Sequence, residues 1–215
     1  MAKAEKCMII GAAPVRDSAV FDEFDPNEYF IICADGGYDT AVKYNIVPNC
    51  IIGDFDSTKY DMEESNSVIK LPTEKDATDT MYAAYVGLKL GYKDFVLIGC
   101  LGGERYDHTF ANYNVLYYLS NNSANAIMAD SISKVFMLKG RKLTLSDMKD
   151  YTVSVFPFGN SNCTVTYEGL KYPMNADSLI TGDILSGISN VIIDNTASIK
   201  VSAGTAMVIV LKPNI

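Results

Sequence analysis

Aspartates and glycines in this chain fall into four short clusters, each directly after a run of β-type residues. Ile31-Ile32-Cys33-Ala34 leads into Asp35-Gly36-Gly37, and Cys50-Ile51-Ile52 leads into Gly53-Asp54-Phe55-Asp56-Ser57. The run at 68–71 is followed by Lys75-Asp76-Ala77-Thr78-Asp79, and the run at 95–98 by Gly102-Gly103-Glu104-Arg105-Tyr106-Asp107-His108. One such cluster is ordinary, because Asp caps helices and Asp-Gly or Gly-Gly makes turns. Four at successive strand ends would converge on one crevice outside the carboxyl ends of an open parallel sheet, where such sheets bind ligands. Crowded carboxylates repel one another unless a cation joins them. Mg²⁺ suits that role, as a hard ion that takes a few carboxylates together with substrate phosphates.

The spacing within the clusters adds detail. Residues two apart in an extended segment point to the same side, so Asp54 and Asp56 can face one metal while Phe55 turns away. Gly53 lets the backbone approach a ligand with no Cβ in between. Gly102 and Gly103, just ahead of a helix, suit a phosphate resting on backbone N–H groups, and Arg105 supplies a two-point phosphate clamp. Neither G-x-x-x-x-G-K-[ST] nor G-x-G-x-x-G occurs, so a nucleotide site here is of another type. His108 is the only histidine, which excludes sites built on several. A structural or substrate-orienting role and a proton-transfer role both remain open to it.

These residues need strands to carry them. Apolar runs at 7–10, 29–34, 50–52, 68–71, 95–98 and 126–129 are not alternating, as expected for strands covered on both faces. Met81, Ala84, Tyr85 and Leu88 follow helical spacing between two of them, and Ala111, Val115, Tyr118 and Leu119 do so in the next segment. After residue 130 the pattern changes to strands at 135–138, 142–145, 152–156, 163–167, 198–201 and 207–211, punctuated by Gly, Asn, Asp and Pro. The expected fold class is α/β plus all-β: a parallel α/β sheet domain over 1–130, then a β-sandwich domain over 131–215.

Bulk composition sets the outer limits. The chain has 215 residues, 48% of them hydrophobic and 20% charged, the balance of a soluble globular protein. A net charge of −8 without clustered Lys and Arg argues against a nucleic-acid partner. No stretch approaches the roughly 18 apolar residues of a membrane helix. The apolar run after Lys6 reads as a buried first strand and not as a signal segment, so a cytoplasmic location is expected. Cys7, Cys33, Cys50, Cys100 and Cys163 are odd in number, lack C-x-x-C spacing and mostly lie in apolar runs, which points to buried thiols.

Taken together, the motifs resemble the thiamin pyrophosphokinase family. The likeness rests on Ala34-Asp35-Gly36-Gly37, on Pro48 followed by Ile52-Gly53-Asp54-Phe55-Asp56-Ser57, and on Lys75-Asp76-Ala77-Thr78-Asp79. It continues through Gly102-Gly103-Glu104-Arg105-Tyr106-Asp107-His108 ahead of Asn112, then Gly169-Leu170-Lys171-Tyr172-Pro173, Gly187-Ile188-Ser189-Asn190, and 197–201 with Gly204. The resemblance implies a homodimer with active sites shared between subunits, and ATP bound on the α/β side. It assigns Asp54, Asp56 and Asp79 to Mg²⁺ as catalytic groups together with Asp107. Asp35, Gly36, Gly37, Asp76, Thr78, Gly103, Arg105, His108 and Asn112 would line the nucleotide region, and Ser189 and Asn190 would meet the thiamin pyrimidine. The composition contains no Trp, so an aromatic wall for thiamin must come from Tyr or Phe, with Phe55 and Tyr106 as candidates by position.

The implied reaction is direct transfer of a diphosphate from ATP to the thiamin hydroxyl, with AMP leaving. Either Asp79 or Asp107 could accept the hydroxyl proton. Two other readings use the same carboxylates or none of them: a Mg²⁺-dependent nucleotide hydrolase with water in place of thiamin, and a non-catalytic nucleotide or vitamin sensor.

Overall fold

The computed structural model describes residues 5–53, 68–70, 76–175, 178–181 and 187–213. Asp54, Phe55, Asp56, Ser57, Leu71 and Lys75 lie outside the described residues. The chain divides into two compact units, Met1–Ser131 and Ile132–Ile215.

In the first unit the elements run β1 (Lys6–Ile10), α1 (Ala19–Glu23), β2 (Tyr29–Ala34), α2 (Gly37–Lys43), β3 (Cys50–Gly53), β4 (Val68–Lys70), α3 (Asp79–Lys89), β5 (Asp94–Ile98), α4 (Tyr106–Asn121) and β6 (Asn125–Ala129). The strands pair in the order β6-β5-β1-β2-β3-β4, and every pair is parallel. Met8, Ile9, Ile10, Ile32, Leu97 and Ile98 are fully buried, which explains the unbroken apolar runs: these strands have no solvent face. The chain steps outward from β1 to β4, then crosses back to place β5 on the other side of β1. From the adjacent strands β1 and β5 the chain thus leads in opposite directions along the sheet, which makes their carboxyl ends a topological switch point.

The helices differ from the sequence expectation in one informative way. On α3 the buried residues are Thr80, Ala83, Ala84 and Gly87, whereas Tyr85 is exposed. The apolar stripe through Met81, Tyr85 and Leu88 is thus rotated off the packed face. Small residues win that face because the helix lies close to the sheet: a Cβ on Gly87 would come within 2.6 Å of the Phe95 ring. On α4 the expected Val115 and Leu119 are buried, joined by Thr109, Asn112, Leu116 and Ser120. The short helices α1 and α2 had no clear periodic signal, being 5 and 7 residues long.

The second unit comprises β7 (Ser133–Lys139), β8 (Lys142–Ser146), β9 (Thr152–Pro157), β10 (Asn162–Glu168), β11 (Ser178–Thr181), β12 (Asn190–Val191), β13 (Thr196–Ala203) and β14 (Thr205–Leu211). Strands β12, β9, β14 and β7 pair antiparallel in that order, and β11, β10, β13 and β8 form the facing antiparallel sheet. Alternate residues point inward: Val153 and Val155, Cys163 and Val165, Ala197, Ile199 and Val201, Ala206, Val208 and Val210 share one buried core. This is a β-sandwich with the period of two that its sequence shows. Strands β11 and β12 are the elements that the pattern did not reveal, because 4 and 2 residues carry too little alternation.

All five cysteines are buried free thiols. Burial pushes Cys7, Cys33 and Cys100 up to about 12, so they stay protonated and unreactive.

The tightest backbone approach lies between β1 and α2. A Cβ on Gly37 would run into the Ile10 carbonyl oxygen, with backbone on both sides and no flexible side chain to yield. Gly37→Ala is expected to lower stability by about 1–3 kcal/mol, in the range of overpacking substitutions, and urea unfolding measures it.

Candidate active site

The crevice begins with two backbones bonded across the switch point. Gly11 N–H donates to the Ile98 carbonyl at 2.8 Å, and Ala13 N–H donates to the Gly99 carbonyl at 2.8 Å. No side chain fits between them, since a Cβ on Gly11 would lie 2.6 Å from the Gly99 oxygen. The Ala12-Ala13-Pro14 segment is thereby fixed along one side of a cavity of about 660 Å³.

Three further loops complete its walls. After β2, Asp35 adopts a left-handed φ of 49°, its N–H bonding the Ile52 carbonyl at 2.8 Å and its own carbonyl accepting Tyr38 N–H at 3.2 Å. That turn starts α2 and brings Ala34, Asp35, Gly36, Asp39 and Thr40 to the cavity. Ahead of α3, Thr78 is the N-cap, its hydroxyl accepting Met81 N–H at 3.2 Å, and Thr78, Asp79 and Thr80 line the wall. After β5 come Gly102, Gly103, Glu104 and Arg105, then His108, Thr109 and Asn112 from the first two turns of α4.

The β5–α4 loop is held from below by side chains of that helix. Asn112 is buried and donates its amide to the Cys100 carbonyl at 2.9 Å, and the Thr109 hydroxyl donates to the Gly102 carbonyl at 3.0 Å. Gly102 and Gly103 have φ of 71° and 87°, values that favour glycine. The result is a glycine loop pinned to a helix start, with backbone free to meet an anion beside Arg105.

Arg105 and Asp107 form a two-point ion pair. Arg105 Nε donates to Asp107 Oδ1 at 2.9 Å and Nη2 to Oδ2 at 2.6 Å, both side chains being well exposed. The hydrogen bonds from the guanidinium pull the Asp107 carboxyl down to about 2. A carboxylate so engaged is a weak proton acceptor near neutral pH.

The structure therefore brings Asp35, Gly36, Thr78, Asp79, Gly103, Arg105, His108 and Asn112 to one cavity. Gly37 lies beneath it as packing, and neither exposed Asp76 nor Asp107 is among its lining residues. Asp54 and Asp56 fall outside the described residues, although β3 ends at Gly53 beside β2. Among the described residues no three His, Cys, Asp or Glu side chains cluster as a metal site. Asp79 does lie on the cavity wall, and its hard oxygen donor suits Mg²⁺. Asp39 and Thr40 also line the cavity, and the sequence pattern does not mark them because the 7-residue α2 carries no clear period. Their signal was a spacing of one helical turn from Asp35-Gly36.

In the second unit Ser189 sits in a turn with φ of 56°, its N–H bonding the Ser154 hydroxyl at 3.1 Å. Asn190 is buried, and its side chain is committed to backbone. Oδ1 accepts Tyr172 N–H at 2.9 Å and Val191 N–H at 2.9 Å, and Nδ2 donates to the Tyr172 carbonyl at 2.7 Å. Asn190 thus clamps the loop that presents Tyr172, a residue 60% exposed.

A parallel sheet whose switch-point cavity carries a pinned glycine loop, an arginine and several carboxylates defines an α/β protein built to hold a phosphorylated ligand. Comparison with known proteins narrows that class. Residues 21–128 match the family described as thiamin pyrophosphokinase, catalytic domain, and residues 142–206 match thiamin pyrophosphokinase, vitamin B1 binding domain. The chain belongs to the thiamin pyrophosphokinase family, whose enzymes form thiamin diphosphate from thiamin. It is 26% identical over 184 residues to the thiamine pyrophosphokinase of Bacillus subtilis (strain 168), covering 83% of this chain and 85% of that one. Thiamine pyrophosphokinase 1 of Oryza sativa subsp. japonica is 24% identical over 197 residues, 78% of this chain and 74% of the relative. Among solved structures, thiamine pyrophosphokinase from Bacillus subtilis superposes with a TM-score of 0.85 at 23% identity, covering 97% and 100% of the two chains. The Candida albicans enzyme gives 0.78 at 16% identity, covering 97% and 89%.

Two consequences are measurable. Because Arg105 holds it, the Asp107 carboxyl should titrate in NMR near pH 2 and move up toward 3.8 in Arg105→Ala. The sign follows: whatever this depressed group contributes to stability is present above its unfolded value and lost as pH falls through its folded one. Separately, Asn190→Ala strips the Tyr172 backbone of both partners and should cost about 1–3 kcal/mol in denaturant unfolding.

Proposed function

We propose that the chain transfers a diphosphate from ATP to the hydroxyl of thiamin, giving thiamin diphosphate and AMP, with Mg²⁺ required. The observation that carries this reading is the cavity at the β1/β5 switch point, where the glycine loop, Arg105 and Asp79 meet in a chain of this family.

In this reading the thiamin oxygen attacks the β-phosphorus, the bond from that phosphorus to the oxygen retained by AMP breaks, and the hydroxyl proton goes to a cavity base. Positioning and charge neutralisation supply most of the rate in phosphoryl chemistry of this kind. Gly102 and Gly103 would offer backbone N–H groups to the polyphosphate, Arg105 its guanidinium, and Asp35, Gly36, Thr78, His108 and Asn112 the surrounding wall, with Gly37 and Asp76 in support. Asp79, with Asp54 and Asp56, would hold Mg²⁺, which when bound neutralises charge on the transferred group. The engaged state of Asp107 argues against it as the base and gives it the task of orienting Arg105.

The second unit would carry the vitamin, with Ser189 as a polar contact and Asn190 acting through the loop it clamps. The exposed ring of Tyr172 joins Phe55 and Tyr106 as a candidate aromatic wall. A homodimer with shared sites agrees with two exposed apolar surfaces. One is the stripe on α4 at helical spacing through Tyr106 and Phe110 to the half-buried Tyr113 and Tyr117, and the other is the set Tyr172, Ile188 and Ile193. Buried free thiols favour a reducing, cytoplasmic setting. Among the described residues no helix is long and apolar enough to cross a membrane.

The test is incubation with ATP, Mg²⁺ and thiamin, quantifying thiamin diphosphate and AMP. Equal amounts of both, dependent on thiamin and abolished by EDTA, are expected. Asp79→Asn and Asp54→Ala should each lower kcat by about 100-fold or more while leaving the fold intact. AMP or ADP released equally well without thiamin would identify a hydrolase instead, and ATP binding with no turnover would identify a sensor.

A further inference from the structure

A second cavity, of about 490 Å³, opens in the first unit at the other end of the same strands. Tyr29 and Ile31 of β2 line it, whereas Ala34 at the carboxyl end of that strand lines the first cavity. Five residues at about 3.3 Å each put roughly 16 Å between Tyr29 and Ala34, so the two cavities are separate. Nothing in the diphosphate transfer makes use of this second one.

Its walls are preformed. Past the end of α2, Ile46 N–H bonds the Ala41 carbonyl at 2.8 Å and Asn45 N–H bonds the Val42 carbonyl at 3.1 Å, with Asn45 at a φ of 54°. That is a doubly bonded helix ending, which fixes Tyr44, Ile46 and Val47 in place. At the base, Asn49 Oδ1 accepts Ile31 N–H at 2.7 Å. Phe21 and Tyr44 make an aromatic corner, their ring centroids 5.0 Å apart and tilted by 54°. At the rim Val47 is 84% exposed.

The lining selects a ligand class. Three aromatic rings, from Phe21, Tyr29 and Tyr44, and the aliphatic Ile46 and Val47 suit a flat ring system. Asp22 is the one charged residue among the lining residues described, and no hydrogen bond or ion pair among the described residues engages its carboxylate. The adjoining segment adds Glu23, Asp25 and Glu28. Two lysines lie over lining rings: Lys6, paired with Glu28 at 3.1 Å, is 5.5 Å from the Tyr29 ring centroid, and Lys43 is 4.9 Å from that of Tyr44. Carboxylates outnumber these cations, and electron-rich ring faces attract positive charge. We propose that this cavity is a second small-molecule site, selective for a planar, positively charged heteroaromatic compound.

The experiment uses the full ¹⁵N-labelled chain titrated with 1-methylnicotinamide, a flat pyridinium cation, and with neutral nicotinamide as its counterpart. Saturable shifts are expected at the amides of Phe21, Tyr44, Asn45, Ile46 and Val47, with the cation bound about fivefold or more tightly than the neutral ring. Asp22→Asn should remove most of that preference, and Tyr44→Ala should abolish binding. Should Tyr44→Ala fail to fold, Val47→Lys tests the same point from an exposed position, placing a cation on the rim and eliminating the response. Absence of saturable shifts, equal binding of the neutral ring, or shifts confined to Gly102 and Gly103 would each overturn the proposal. Because the readout is binding at a site apart from the transfer chemistry, it stands or falls separately from the enzymatic assay.

Discussion

At the carboxyl ends of β1 and β5, two backbones lie within hydrogen-bonding distance of one another with no room for a side chain between them. Gly11 meets Gly99 there, and one layer across, Gly37 lies against the carbonyl of Ile10. The rest of the first unit depends on this approach. It lets α2 start directly over the end of β1, it fixes the Ala12-Ala13-Pro14 wall, and it sets the β5–α4 loop opposite the Asp35 turn. A Cβ at any of these glycines meets main chain, which cannot rotate out of the way, so the cavity's shape follows from the absence of side chains as much as from those present.

Polar side chains then act as fasteners more often than as contacts. Asn112, Thr109 and Thr78 each bond backbone at the edge of the first cavity, and Asn190 does the same for the Tyr172 loop. A buried amide that satisfies both backbone groups of another residue rigidifies a loop with little loss of its own entropy, since its rotamer is already fixed by packing. Above these fastened loops, Arg105 with its partner Asp107 and Tyr172 are the exposed groups. Rigid support beneath and open chemistry above is how precise positioning is obtained on loops.

Much of this was legible in the sequence because its cause is local. Buried parallel strands leave unbroken apolar runs, and the six in the first unit were readable to within a residue or two at their ends. The sandwich strands leave a period of two. Asp35, Asp79 and Gly103 stood out because aspartate and glycine at strand ends have few other reasons to recur. What escaped notice lacked a local signature: α2 is 7 residues long, β12 is 2, and Asp39 and Thr40 reach the cavity only because that short helix exists.

The sequence by itself determined the fold class, the order of the longer elements and the residue types able to handle phosphate, since each follows from periodicity, turn chemistry and charge along a few neighbouring residues. Tertiary structure alone decided which face of α3 packs and that Asn190 clamps Tyr172. Those outcomes depend on distances between residues far apart in the chain, where close backbone approach admits small side chains and excludes larger apolar ones. No pattern within a single segment encodes that clearance.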